Sequence, residues 1–242
     1  ARLGMIIGIA LGVWLNQNYS FINLLTVSVI IGIVGILITA GVYVPFRAPI
    51  VTKLYSFDRF LLLRGWIPVI NLILITFVPG LLISLVHPFL NDSIRRSIGI
   101  SLPFFAGTGI GFLMSLLFTR LFFLKEKTLR LVIIGLGLET LAFSLLGING
   151  AIGVSSVLVG LGLGFVMPEF SVIFVKLSHH CQRGTANTTY FLASEIGIAL
   201  GIAASCDMST DEMIFVGQVV AVIALLFFVL ITYSYYKKMK VR

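Results

Sequence analysis

Apolar residues run together along this chain in stretches long enough to span a bilayer, which takes about 20 residues as a helix. Short polar or charged breaks separate them. Eight such runs are read: Leu3–Tyr19, Phe21–Val44, Trp66–Val86, Ile98–Thr119, Leu131–Leu146, Ile152–Val175, Thr185–Cys206 and Met213–Tyr236. The breaks carry turn or charge signals: Asn16-Gln17-Asn18, the Pro45–Gly65 stretch, Asn91-Asp92-Ser93, Lys125-Glu126-Lys127, Asn149-Gly150 and Asp211-Glu212. Period-2 alternation in pieces of about ten residues is absent, which argues against a β-barrel. The pattern predicts an all-α membrane protein, a polytopic bundle of eight transmembrane helices.

Composition agrees. Of the 242 residues 59% are hydrophobic and 11% charged, and the mean hydropathy is +1.12. A soluble domain carries about 25% charged residues, so this chain has too few to cover a globular surface. A signal peptide does not account for the pattern, because the apolar runs continue to the C-terminus.

The net charge of +8 raises the question of a nucleic-acid partner. Its placement points elsewhere. Arg2, the Arg47–Arg64 group, the Arg120–Arg130 group, Lys176 with Arg183, and the Lys237–Arg242 group fall on one set of connections and make up 15 of the 17 basic residues. The other set holds Arg95 and Arg96 beside Asp92, Asp207, Asp211 and Glu212. Cytoplasmic loops are rich in Lys and Arg. Both ends are therefore expected in the cytoplasm, with the chain in the plasma or inner membrane and no nucleic-acid partner.

Two motifs invite chemistry and are read as structure. His179-His180-Cys181 has no nearby carboxylate or second Cys, and adjacent histidines point to different helix faces, so a polar turn is preferred over a metal site. Gly160–Gly164 (GLGLG) matches part of a dinucleotide loop but lies within an apolar run with no preceding strand, so helix packing is preferred. Cys181 and Cys206 lie at opposite ends of one expected helix, about 37 Å apart, and do not pair.

The hexapeptide IGIALG occurs at Ile7–Gly12 and again at Ile196–Gly201. The copies lie in the first and seventh runs, a period of six, each copy opens an outward-running helix, and each follows a basic residue and a glycine. Gly8 with Gly12, and Gly197 with Gly201, form GxxxG pairs that allow close helix approach. Together these features suggest a six-helix duplication.

With GMIIGIALGVWL (Gly4–Leu15) and RGTANTTYFLASEIGIALG (Arg183–Gly201), the chain resembles the major facilitator superfamily of secondary transporters. The segments are similar to that family's glycine-rich fifth and eleventh helices, and PFRAPIVTKLYSFDRFLLLRG (Pro45–Gly65) to its central loop. Ser115–Arg130 keeps the basic residues of the family's loop motif but lacks its Asp and glycine. The resemblance implies the fifth to twelfth helices of a 6+6 fold. Residues 1–44 would then hold the last two helices of the first half, 45–65 the cytoplasmic loop, and 66–242 the second half. It also implies four further helices ahead of Ala1, so the chain is expected to be a C-terminal fragment that partners the missing N-terminal helices of the same protein.

A carboxylate near mid-membrane costs about 2.5–3.5 kcal/mol and faces the bundle interior or a water-filled cavity. Glu139, Glu169 and Glu195 qualify. The resemblance implies that Glu169 and Asn71 hold cavity positions, while the helix of Glu139 is peripheral. Pro168 is expected to free a backbone carbonyl beside Glu169. Structural readings stand beside these: an ion pair with Lys176 for Glu169, packing near Ser194 for Glu195, and an interhelical hydrogen bond to a hydroxyl for Glu139. Thr185, Asn187, Thr188 and Thr189 read as capping and interhelical contacts.

The expected function is secondary active transport of a small solute by alternating access, of permease or efflux type, coupled to protons or another ion. The bilayer and the solute are the expected partners, and no cofactor, metal or catalytic residue is assigned. A non-transporting membrane scaffold or regulator is the alternative. An intramembrane enzyme stands third, because His87, His179 and His180 all lie outside the runs and no nucleophile elbow or metal pair is visible.

Overall fold

The computed structural model describes residues 8, 11–12, 14–15, 18–42, 61–86, 94–122, 128–146, 148, 151–179 and 182–240. The chain divides into two units, Ala1–Ser56 and Phe57–Arg242. Helices are the only regular elements among the described residues.

In the first unit α1 spans Phe21–Gly41. It is apolar on every face, with Ile22, Ile30, Ile33 and Ile36 all exposed within the unit, as expected of a helix whose surroundings are apolar. Its hydroxyls are satisfied internally: Thr26, Ser28 and Thr39 each donate to the carbonyl four residues back. In a bilayer that is the partner at hand. The described residues between 8 and 18 are helical; the rest of the Leu3–Tyr19 run lies outside the described residues.

In the second unit a 3-10 turn, Leu63–Gly65, leads into α2, Trp66–Val86. Then come α3 (Ile94–Phe122), α4 (Thr128–Leu146), α5 (Ile152–Leu177) and α6 (Arg183–Ser205). The last arm is α7 (Thr210–Phe227), a π-helical segment (Phe228–Thr232) and α8 (Tyr233–Lys240). Among the described residues six segments are long and apolar enough to cross a membrane: Ile22–Gly41, Leu63–Ser84, Leu129–Leu146, Ile152–Leu177, Arg183–Ser205 and Thr210–Met239. Pro103–Thr119, within α3, is a shorter apolar stretch. The chain is an all-α, multi-pass membrane protein.

Helix boundaries shift some expected loop residues into helices. Arg130 lies in the first turns of α4, and Arg183 opens α6. Asp211 and Glu212 form the first turn of α7, where Ser209 and Glu212 make a reciprocal capping box. The Ser209 side chain accepts from the Glu212 N–H, and the Ser209 N–H donates to Glu212 Oε2 at 2.8 Å. Acidic residues at a helix start also oppose the positive end of its dipole. Most of the Pro45–Gly65 stretch, Asn91–Ser93, Lys125–Lys127 and Asn149-Gly150 lie outside the described residues, as do His87, His180 and Cys181.

Packing is organised by glycine seams. Gly197 and Gly201 of α6 press on α2: a Cβ on Gly197 would meet Thr76 and, at 2.6 Å, the Ile73 carbonyl, and one on Gly201 would meet Phe77 and Gly80 backbone. The register rises together on both helices, so they are parallel. α3 and α5 form a second parallel seam, with Gly107 against Ser156, Gly111 against Val157, Gly160 against Thr108, and Gly164 against Ser115. α4 runs antiparallel to α5: Gly135 meets Gly162 and Val166, while Ser155 donates to the Ala142 carbonyl at 2.8 Å. The last arm runs antiparallel to α2, and Gly217 of α7 receives the Phe143 ring of α4.

GLGLG is therefore a packing device. Gly160 and Gly164 share one face of α5 and admit α3, while Gly162, about 200° around the helix, admits α4. Between the seams lies an aromatic core in which Phe170, Phe174 and Phe228 are fully buried.

These contacts have an internal order. Exchanging the triplet α2-α3-α4 with α5-α6-α7 maps the α2–α6 seam onto α5–α3 and the α4–α5 contact onto α7–α2, and leaves α4–α7 on itself. Because α2 and α5 run in opposite directions, the two triplets are inverted relative to each other.

Candidate functional site

Glu195 lies two residues before Gly197, which turns it about 200° from the α2 seam. It is exposed on the surface of the second unit. Asn187, Thr188, Phe191, Leu192 and Ala199 are exposed with it, a mixed stripe along the free face of α6. Ser194, its neighbour, is buried and donates to its own helix at the Phe191 carbonyl, 2.8 Å away.

Glu169 on α5 is half-buried, next to the exposed Pro168. α5 continues through the proline from Ile152 to Leu177. The Tyr190 hydroxyl of α6 donates to the Met167 carbonyl at 3.0 Å, one residue before the proline, and the Tyr190 ring packs edge-on against Phe174 at 5.9 Å. This contact sets the level of α6 against α5. The helices are antiparallel, so Glu169 and Glu195 are offset by about 10 Å along the bundle, two residues one way and five the other.

Asn71 is fully buried and faces the last arm, its amide donating to Thr232 Oγ1 at 2.7 Å. The π-helical segment explains the meeting. Buried positions in the arm run Gly217, Ala221, Ala224, Phe228, Thr232, Tyr236, ending in three steps of four. On a 3.6-residue helix each such step drifts about 40°. The extra residue of the π turn, closed by Tyr233 N–H to the Phe228 carbonyl, absorbs that drift and keeps Thr232 on the buried face. Such turns are frequent at functional sites. Asn71 Oδ1 has no hydrogen-bond partner.

Glu139 on α4 is 1% exposed, the most buried of the three carboxylates. Neither of its oxygens has a hydrogen-bond partner, so the expected bond to a neighbouring hydroxyl is not made. Hydroxyls on α4 and at the start of α5 serve carbonyls instead: Thr140 donates to Gly137 and Ser155 to Ala142.

Thr189 reaches out of its helix to the segment ahead of the 3-10 turn, accepting from the Leu62 N–H at 2.8 Å while donating to the Thr185 carbonyl. Tyr235 donates to the Arg64 carbonyl at 2.9 Å. These bonds gather Leu62, Arg64, Thr189 and Tyr235 at one end of the bundle.

The glycine pairs differ in their surroundings. Gly197 and Gly201 are closely packed, whereas within the first unit a Cβ on Gly8 or Gly12 would meet no atom within 4 Å. Among the described residues no three His, Cys, Asp or Glu side chains are grouped as metal ligands.

Sequence reasoning did not single out Tyr190, Thr232 or the α3 glycines. A hydroxyl within an apolar run was the available signal for Thr232. Compared with known proteins, the chain matches no protein-family model and no curated protein.

Proposed function

We propose that the protein is a secondary active transporter of a small solute, built on the major facilitator plan and working by alternating access. In this reading eight helices span the cell membrane, residues 66–242 form the C-terminal six-helix half, and both ends lie in the cytoplasm. The observation that carries it is the exchange relation of the second unit, in which triplets α2-α3-α4 and α5-α6-α7 pair the same helices in inverted orientation, with matching seams between α2 and α6 and between α5 and α3 and a less extensive α7–α2 contact than α4–α5. Inverted three-helix repeats within a six-helix half are the architecture on which such transporters rock around a central site.

The free face of α6 supports the same reading. A carboxylate within an apolar helix is costly against lipid and acceptable in a water-filled cavity. Glu195 stands on that face with Asn187 and Thr188, and Glu169 is half-exposed on the neighbouring helix. A solute touching both carboxylates would span their axial offset of about 10 Å.

The test is flux. Vesicles containing the protein at its natural length are loaded with a panel of labelled small metabolites, and efflux is followed with and without an imposed pH gradient. At least one solute is expected to leave faster than from protein-free vesicles, with the excess lost in Glu195→Gln. Equal rates across the panel, with folded protein in the membrane, would overturn the proposal.

A further inference from the structure

Among the described residues three buried side chains retain an unpaired polar atom: Asn71, Ser84 and Glu139. Only Glu139 is ionisable, and its slot is shaped by a neighbour's missing side chain. A Cβ on Gly162 of α5 would lie 2.7 Å from Glu139 Cγ and the same distance from the Gly135 carbonyl. Glycine at 162 thus admits the glutamate side chain into the α4–α5 seam, and that seam offers its two oxygens no donor. A residue needed only for packing would be better served by an apolar side chain, because a buried polar group without partners is destabilising.

Among the described residues no charge compensates it. On α5, Glu169 and Lys176 lie 7 and 14 residues beyond Gly162, about 10 and 21 Å along the axis. α7 carries Asp211 and Glu212 at its far start, beyond the Phe143–Gly217 contact, and Tyr233, Tyr235, Tyr236, Lys237 and Lys238 follow the π segment at the other end of the arm. On α4 itself Arg130 is nine residues away, about 13 Å. Ionising Glu139 in the packed seam would leave an uncompensated buried charge. Ionisation and separation of the two helices are therefore linked.

We propose that Glu139 is a proton-exchange site gated by the α4–α5 seam. In the closed seam the carboxyl keeps its proton. When the helices part, the O–H bond breaks, the electron pair stays on the carboxylate oxygen, and the proton passes to water admitted by the opening. Its use as the coupling proton rests on the transporter reading above; the exchange itself needs no solute.

The experiment is infrared difference spectroscopy on the purified protein in phosphatidylcholine vesicles as pH is stepped from acidic to alkaline. The expected signal is the carbonyl stretch of a protonated carboxylic acid, absent in Glu139→Gln and shifted but present in Glu139→Asp. It should fall as pH rises, while amide hydrogen exchange in residues 128–146 and 152–177 speeds up. If Glu139→Gln does not assemble, the wild-type protein with carboxyl-labelled glutamate supplies the band and Glu139→Asp its assignment. A Glu139 band that ignores pH, or no such band at any pH, overturns the site. A band that titrates while exchange stays constant overturns the gating. Because no solute is present, these failures are separable from failure of the flux assay, which bears on the transporter reading alone.

Discussion

At the scale of single residues, the polar groups of this protein are costly in a membrane, and most are answered within their own helix. The exceptions are the unpaired atoms of Asn71, Ser84 and Glu139 and the places where side chains reach beyond their own helix. Asn71 and Thr232 form one such pair, across α2 and the π turn. Hydrogen bonds between membrane helices average about 0.6 kcal/mol and reach about 1.7. A double-mutant cycle on Asn71→Ala and Thr232→Ala, read by unfolding in detergent, should give a coupling energy in that range. Zero coupling would mean that the bond does not form. The capping box is a local contact at the start of α7. Ser209→Ala removes the acceptor for the Glu212 N–H and should cost about 1 kcal/mol in the same assay.

Whole helices are placed by what their glycines allow. Gly135 and Gly137 stand two residues apart on α4 and differ completely in surroundings. A Cβ at 135 would lie 2.6 Å from Val166 Cγ2 and 2.8 Å from the Gly162 carbonyl, while one at 137 would meet nothing within 4 Å. Gly137→Ala should therefore be neutral or stabilising by up to about 1 kcal/mol, the helix-propensity gain. Gly135→Ala should destabilise by about 1–3 kcal/mol, the usual cost of overpacking. Thermal unfolding of the two variants in parallel checks the contrast, and equal effects would argue against the α4–α5 seam. The same logic holds on α6, where Gly201→Ala would press on Phe77 and Gly80 backbone, which yields less readily than a side chain.

For the molecule as a whole, the distribution of charge makes a claim about sidedness. The hydrogen bonds from Leu62 to Thr189 and from Tyr235 to Arg64 bring Arg64, Arg183, Lys237 and Lys238 toward one end of the second unit. Cys206, a free exposed thiol at the end of α6, belongs to the other end. If the basic end is cytoplasmic, an impermeant maleimide added to intact cells should label Cys206, and Cys206→Ser should abolish that labelling. Labelling of Cys206 only after permeabilisation would reverse the orientation.

By itself the sequence determined the class and most of the elements, because burial in lipid imposes a one-dimensional rule. Runs of apolar residues near 20 long must be helices with their backbone bonds closed internally, and α1, α2, α5 and α6 fall close to where those runs predict. It also marked Gly160–Gly164 and Gly197/Gly201 as contact surfaces, since small-residue spacing within an apolar helix has few other uses. Only the tertiary structure decided which carboxylate is buried. The resemblance placed Glu139 on a peripheral helix, and the pattern of its own run did not distinguish it from Glu169 or Glu195. Its burial comes from Gly162, 23 positions later, on a helix whose register was not legible from α4. The meeting of Asn71 with Thr232 likewise depends on one extra residue in a π turn, a rotation that the composition of the run does not reveal. Sequence resolves position along a helix; which face meets which neighbour is settled by packing between helices far apart in the chain.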